Sequence, residues 1–90
     1  ARLVARNATR RVAEMLGLTL AEWRVLLVVD GTPAQMEEIA RRALLETSHA
    51  SIAATALVKK GLIRRQPHPG DRRRVHVRRT AAGTRAVRRY

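Results

Sequence analysis

Twelve lysines and arginines but only one acid, Asp71, fall between residues 59 and 90, whereas residues 1–58 hold seven basic and six acidic side chains. The densest stretch reads Lys59-Lys60-Gly61-Leu62-Ile63-Arg64-Arg65-Gln66-Pro67-His68-Pro69-Gly70-Asp71-Arg72-Arg73-Arg74-Val75-His76-Val77-Arg78-Arg79-Thr80. Ammonium and guanidinium groups at this density are suited to replacing the counterions of a polyphosphate, and arginine adds a planar fork that grips two oxygens at once. Eleven of the twelve net positive charges sit in this last third of the chain. A balanced segment followed by a strongly basic one describes a directed electrostatic face, and nucleic acid is the commonest partner of such a face.

Other chemistries find less support. Glu14, Glu22, Glu37, Glu38 and Glu46 fall at cap or surface spacing on predicted helices, with no pair of carboxylates set for acid–base work, so no enzymatic activity is expected. His68, Asp71 and His76 lie close together, but their spacing matches no metal motif and the surrounding arginines would repel a cation. Gly31 and Gly70 are isolated turn glycines, not a phosphate loop, and neither a metal nor a cofactor is expected. The chain has no cysteine, which excludes disulfides and thiolate sites and fits an intracellular, cytoplasmic location. No apolar run reaches the roughly 20 residues that cross a bilayer, so no membrane partner is expected. RNA or a ribosomal surface competes on composition, as does non-specific binding of duplex DNA. RNA modules stack bases on exposed aromatics, however, and Trp23 and Tyr90 are the only aromatic residues; that favours a duplex, read through phosphates and groove edges.

The elements that must position the basic residues are legible in outline. Residues 2–16 have apolar side chains at Leu3, Val4, Ala8, Val12, Met15 and Leu16, the spacing of a helix that Gly17 stops. Thr19-Leu20-Ala21-Glu22 is a capping box opening a second helix to about Val29, with Leu20, Trp23, Leu26 and Leu27 as its inward stripe. Trp23 on that stripe reads as core. Thr32-Pro33-Ala34-Gln35 is a start signal for a third helix running to about Ala43, with Met36, Ile39 and Ala40 buried. Thr47 or Ser48 caps a fourth helix that ends at Lys60 before Gly61. Leu62–Gln66 and Arg74–Arg78 read as strands around a Pro67–Asp71 turn. Thr80 caps a last helix that the chain leaves unfinished, so residues missing at one or both ends are expected. The fold class is α+β, mostly α, in the order α-α-α-α-β-β-α, forming a single domain over residues 1–90.

Two short helices joined by a tight turn and followed at once by a basic hairpin make a winged helix-turn-helix. The residues resemble the MarR family of bacterial transcription regulators in Leu18-Thr19, Glu22-Trp23-Arg24-Val25-Leu26, Ile39-Ala40, Leu57-Val58-Lys59-Lys60-Gly61-Leu62-Ile63-Arg64-Arg65, Asp71-Arg72-Arg73 and Thr80-Ala81-Ala82-Gly83. The resemblance spans about residues 18–83. It implies a ligand-responsive regulator, commonly a repressor, that binds double-stranded DNA as a homodimer and is released by a small, often aromatic, effector. On that basis residues 1–17 contribute to dimerisation, 18–79 form the winged helix core and 80–90 begin a C-terminal dimerisation helix.

The resemblance also carries roles onto residues. The fourth helix, packed inward through Ala50, Ala53, Ala54, Leu57 and Val58, presents Ser48, His49, Ser51, Ile52 and Thr55 to a major groove. Ile52, where the family usually has arginine, either packs on a thymine methyl or turns into the core. At the wing, Asp71 orients Arg73 for the minor groove while Arg72 and Arg74 meet phosphates. Lys59, Lys60, Arg64 and Arg65 are expected on the DNA backbone, with Arg78 and Arg79 as further contacts. Arg79 replaces a usual leucine, which predicts a less firmly anchored end to the wing.

Overall fold

The computed structural model describes the backbone of residues 2–30, 34–68 and 70–89, and the side chains of these except residues 2–8, 68 and 71–74. Its elements are α1 (Arg2–Met15), α2 (Leu20–Val28), β1 (Ala34–Gln35), α3 (Met36–Ala43), α4 (Thr47–Lys59), β2 (Ile63–His68), β3 (Asp71–Arg79) and α5 (Ala81–Arg88). The expected winged helix is present, with one strand more than the sequence order anticipated.

α2 opens on the expected capping box. The Glu22 N–H donates to Thr19 Oγ1 at 3.1 Å, and the Thr19 N–H donates to Glu22 Oε1 at 3.3 Å. Its buried side is not the expected one throughout: Trp23, Val25 and Leu26 are in the core, while Leu20 and Leu27 are 39% and 44% exposed. A short helix that is apolar nearly all round gives periodicity little to choose between, and packing against α3 and α4 decides the face. In α1 the same correction applies at Met15, which is exposed, whereas Ala13 is buried.

Ala34 and Gln35, expected in the first turn of the third helix, instead form β1 and pair antiparallel with Val77 and His76 of β3. The helix begins at Met36 behind a Gln35 that makes no side-chain cap bond; Thr32 and Pro33 lie outside the described residues. The open edge of β3 supplies ladder hydrogen bonds that a local start signal cannot outweigh. Sheet order is β1-β3-β2, all antiparallel. The hairpin is longer than expected, and its register slips between Pro67 and His68, where a proline without an N–H cannot continue a ladder.

The core gathers Val25, Leu26, Val29, Ile39, Leu57, Ile63 and Val77, all essentially inaccessible to water, around a floor of alanines from α3 and α4. Thr80 ties the last helix to this core. Its hydroxyl accepts the Gly83 N–H at 3.0 Å and donates to the Gly61 carbonyl at 2.7 Å, while its N–H donates to the Leu62 carbonyl at 3.0 Å. Gly83 is the one residue that fits here, because a Cβ would drive into the Leu62 carbonyl and lie 2.7 Å from Arg79 Cγ. The Thr-x-x-Gly sequence is thus a close approach of α5 to the start of the wing.

Candidate nucleic-acid interface

α3 ends in a tight turn at Leu44, whose left-handed backbone (φ 59°) lets the Leu45 N–H reach back to the Ala40 carbonyl at 2.9 Å. The chain then enters α4 through Glu46, which occupies the N-cap without a side-chain bond; neither Thr47 nor Ser48 caps the helix. Ala50, Ala53, Ala54 and Leu57 are buried, and Val58 packs against the core from the edge. Small side chains at these positions allow α4 to lie close on α2 and α3, which holds its opposite face outward. On that face Ser48, His49 and Thr55 are exposed, Ser51 is half-buried and Ile52 is 69% exposed. The alternative of Ile52 as a core residue is excluded.

Thr55 has internal partners. Its hydroxyl donates to the Ser51 carbonyl at 3.0 Å and accepts Arg65 Nη2 at 2.9 Å. Arg65 pairs with Val77 across the ladder and so lies on the helix-facing side of the sheet, whereas Arg64 pairs with Arg78 on the other side. Two exposed guanidiniums on consecutive residues therefore point to opposite faces of the hairpin. Lys59 is exposed in the last turn of α4.

Lys60, expected on a DNA phosphate, is engaged within the protein. Its Nζ lies 2.7 Å from Glu22 Oε1 and 2.9 Å from the Gly17 carbonyl, joining the end of α4 to the turn between α1 and α2. The Glu22 carboxyl is held below its ordinary range: burial pulls its pKa upward, but the hydrogen bond from Lys60, the bonds at Thr19 and the Lys60 charge together outweigh that pull. Asp71, Arg72, Arg73 and Arg74 belong to the backbone of β3, and their side chains lie outside the described residues, as does the side chain of His68.

A sequence profile of the MarR family matches residues 16–74. The chain belongs to the MarR family. Membership makes it a non-enzymatic, DNA-binding transcriptional regulator. No curated protein matches the chain. Among solved structures, transcriptional regulator PA4135 is 27% identical with a TM-score of 0.81, the match covering 97% of this chain and 68% of that one. BldR from Sulfolobus solfataricus is 26% identical with a TM-score of 0.78, over 98% of this chain and 66% of that one. A MepR variant from S. aureus, bound to an oligodeoxyribonucleotide, shares the fold at a TM-score of 0.83 and 22% identity, over 97% and 67% of the two chains. The chain spans 60–71% of the length of eight solved structures that it matches.

Two residues depart from the MarR pattern, and the structure gives each a physical setting. Ile52 stands outward where the pattern has arginine. Arg79, where the pattern has leucine, is bonded back to α2 and to the turn that follows it. It lies on the Val77 and Ile63 side of the sheet, its Nη1 donates to the Leu26 carbonyl at 3.3 Å, and its backbone N–H donates to the Asp30 carbonyl at 3.4 Å. Its alkyl stem lies beside Gly83 while the guanidinium reaches Leu26 of α2, leaving Nε buried without a partner. The alternation Val75, Val77, Arg79 places this arginine on the inward face, and its pairing with Ile63 agrees.

Proposed function

We propose that this MarR-family chain binds double-stranded DNA with sequence preference, as a homodimer, and acts as a repressor in the cytoplasm. α4 enters the major groove and leads with Ser48, His49, Ser51 and Ile52. Lys59, Arg64 and Arg65 meet phosphates at the flanks. Arg72 and Arg74 extend the phosphate contacts along the wing, and Asp71 orients Arg73 toward the minor groove. The observation that carries this reading is the outward face of α4, which is uncharged at its centre and adjoins cationic side chains at its C-terminal end and on β2.

Dimerisation is assigned to α1 and α5, which lie toward the two chain ends. A groove of about 480 Å³ beside α5, lined by Leu16, Ala82, Arg85, Ala86, Arg88 and Arg89, offers an apolar floor and cationic walls. It would suit a small aromatic effector, particularly one bearing a carboxylate.

Fluorescence anisotropy with a labelled duplex and unlabelled competitors tests the choice of nucleic acid. Duplex DNA is expected to displace the probe at far lower phosphate concentration than transfer RNA. Equal displacement at equal charge would reduce the basic face to a general grip on polyanions and remove the groove-reading role of α4.

A further inference from the structure

We propose that Ile52 is a specificity-determining residue that reads the C5-methyl group of a pyrimidine in the major groove. The inference rests on α4 entering that groove, and it names what the centre of the helix recognises there. Helical spacing places Ser48, His49, Ile52, Thr55 and Lys59 on one face, and all five are exposed. Ile52 is at the middle of that face and is 69% exposed.

Its neighbours cannot cover the same base edge with a fork of hydrogen bonds. Serine and histidine at 48 and 49 lie a turn earlier, and the Thr55 hydroxyl is already bonded to the Ser51 carbonyl and to Arg65. The base pair beneath position 52 therefore meets a branched hydrocarbon. The major-groove edges of natural base pairs carry one kind of apolar projection, the C5-methyl of thymine or of 5-methylcytosine. Against that methyl, Ile52 removes apolar surface from water on both sides. Against an amino group or a carbonyl oxygen it removes water from a polar atom and returns no hydrogen bond, so the wrong pair is penalised as well.

Two features make the contact selective. A β-branched side chain in a helix occupies one dominant rotamer, so little freedom is lost on binding. The backbone beneath it is fixed by Ala50, Ala53, Ala54 and Leu57 against the core. The methyl is read by a surface that is already in place.

The test uses the full chain and a duplex enriched by selection from a random library, with each thymine replaced in turn by deoxyuridine, which lacks only the methyl. One position in each half-site is expected to lose about fourfold in affinity, the worth of one buried methyl group. In Ile52→Ala that same replacement is expected to change affinity by a factor near one. Because Ile52 is exposed, the variant keeps its fold, which circular dichroism checks. Replacing the thymine pair by 5-methylcytosine with guanine then tells which methylated pyrimidine the site takes. A deoxyuridine penalty of equal size in wild type and Ile52→Ala would overturn the assignment, as would tolerance of deoxyuridine at every position. Failure to enrich any sequence at all would instead overturn the groove-reading role of α4, and this inference with it.

Discussion

Thr55 is exposed on the outward face of α4, yet its hydroxyl is bonded to the Ser51 carbonyl and to Arg65 of β2. The bond holds the Arg65 guanidinium beside the helix. Thr55→Val keeps the shape and removes the acceptor. The variant is expected to bind every duplex about fivefold more weakly, one hydrogen bond's worth of order, with its base preference unchanged. Titration of matched and mismatched duplexes by anisotropy measures both quantities, and a preference altered at a single base position would contradict this role. The outward group Ser48, His49, Ile52 and Thr55 was legible because helical spacing and the buried alanines fix which side faces out. The Thr55–Arg65 and Lys60–Glu22 bonds were not, since each joins residues on different elements and spacing along one element carries no information about the other. Arg79 is a partial case: the alternation from Val75 puts it on the Val77 face, but the reach of its guanidinium to Leu26 of α2 joins separate elements and spacing does not give it.

Among the elements, Lys60 ties the end of α4 to α2 through its ion pair with Glu22 and to the α1–α2 turn through its bond to the Gly17 carbonyl. The Glu22 pKa is lowered in the folded protein from an ordinary value of 4.5. A carboxylate favoured by folding contributes its full stabilisation above that ordinary value and loses it as the pH falls through the depressed folded one. Wild type is expected to exceed Glu22→Gln by about 1 kcal/mol at neutral pH, given a mostly buried acid and a partly exposed lysine. Urea denaturation across a pH series should show that gap closing below pH 4.5. A gap that persists undiminished in acid would contradict the ion pair as its source. The Thr19–Glu22 capping box and the Gly61 and Thr80 signals could be read from sequence because they are local hydrogen-bond chemistry. β1 could not, because its two residues gain their ladder from β3, more than forty positions along the chain.

Across the whole molecule, the charge distribution announced the partner before any element was placed. A nearly neutral helical body carries the core, and the basic residues are gathered on the wing and its flanks. In the structure Lys60 and Arg79 are bonded within the protein, Lys59 and Arg65 are exposed beside α4, and Arg64 is exposed on the other face of the hairpin. An arrangement with an uncharged reading face inside a cationic frame predicts sequence preference, where a uniformly cationic surface would predict none. Selection from a random duplex library at near-physiological salt, with sequencing of the retained molecules, tests this most directly. The proposed homodimer, with its two α4 helices related by a two-fold axis, predicts an enriched palindrome whose half-sites lie about one helical turn apart. Retention of DNA with no enriched sequence would contradict a base-reading α4 and leave a polyanion-binding surface in its place.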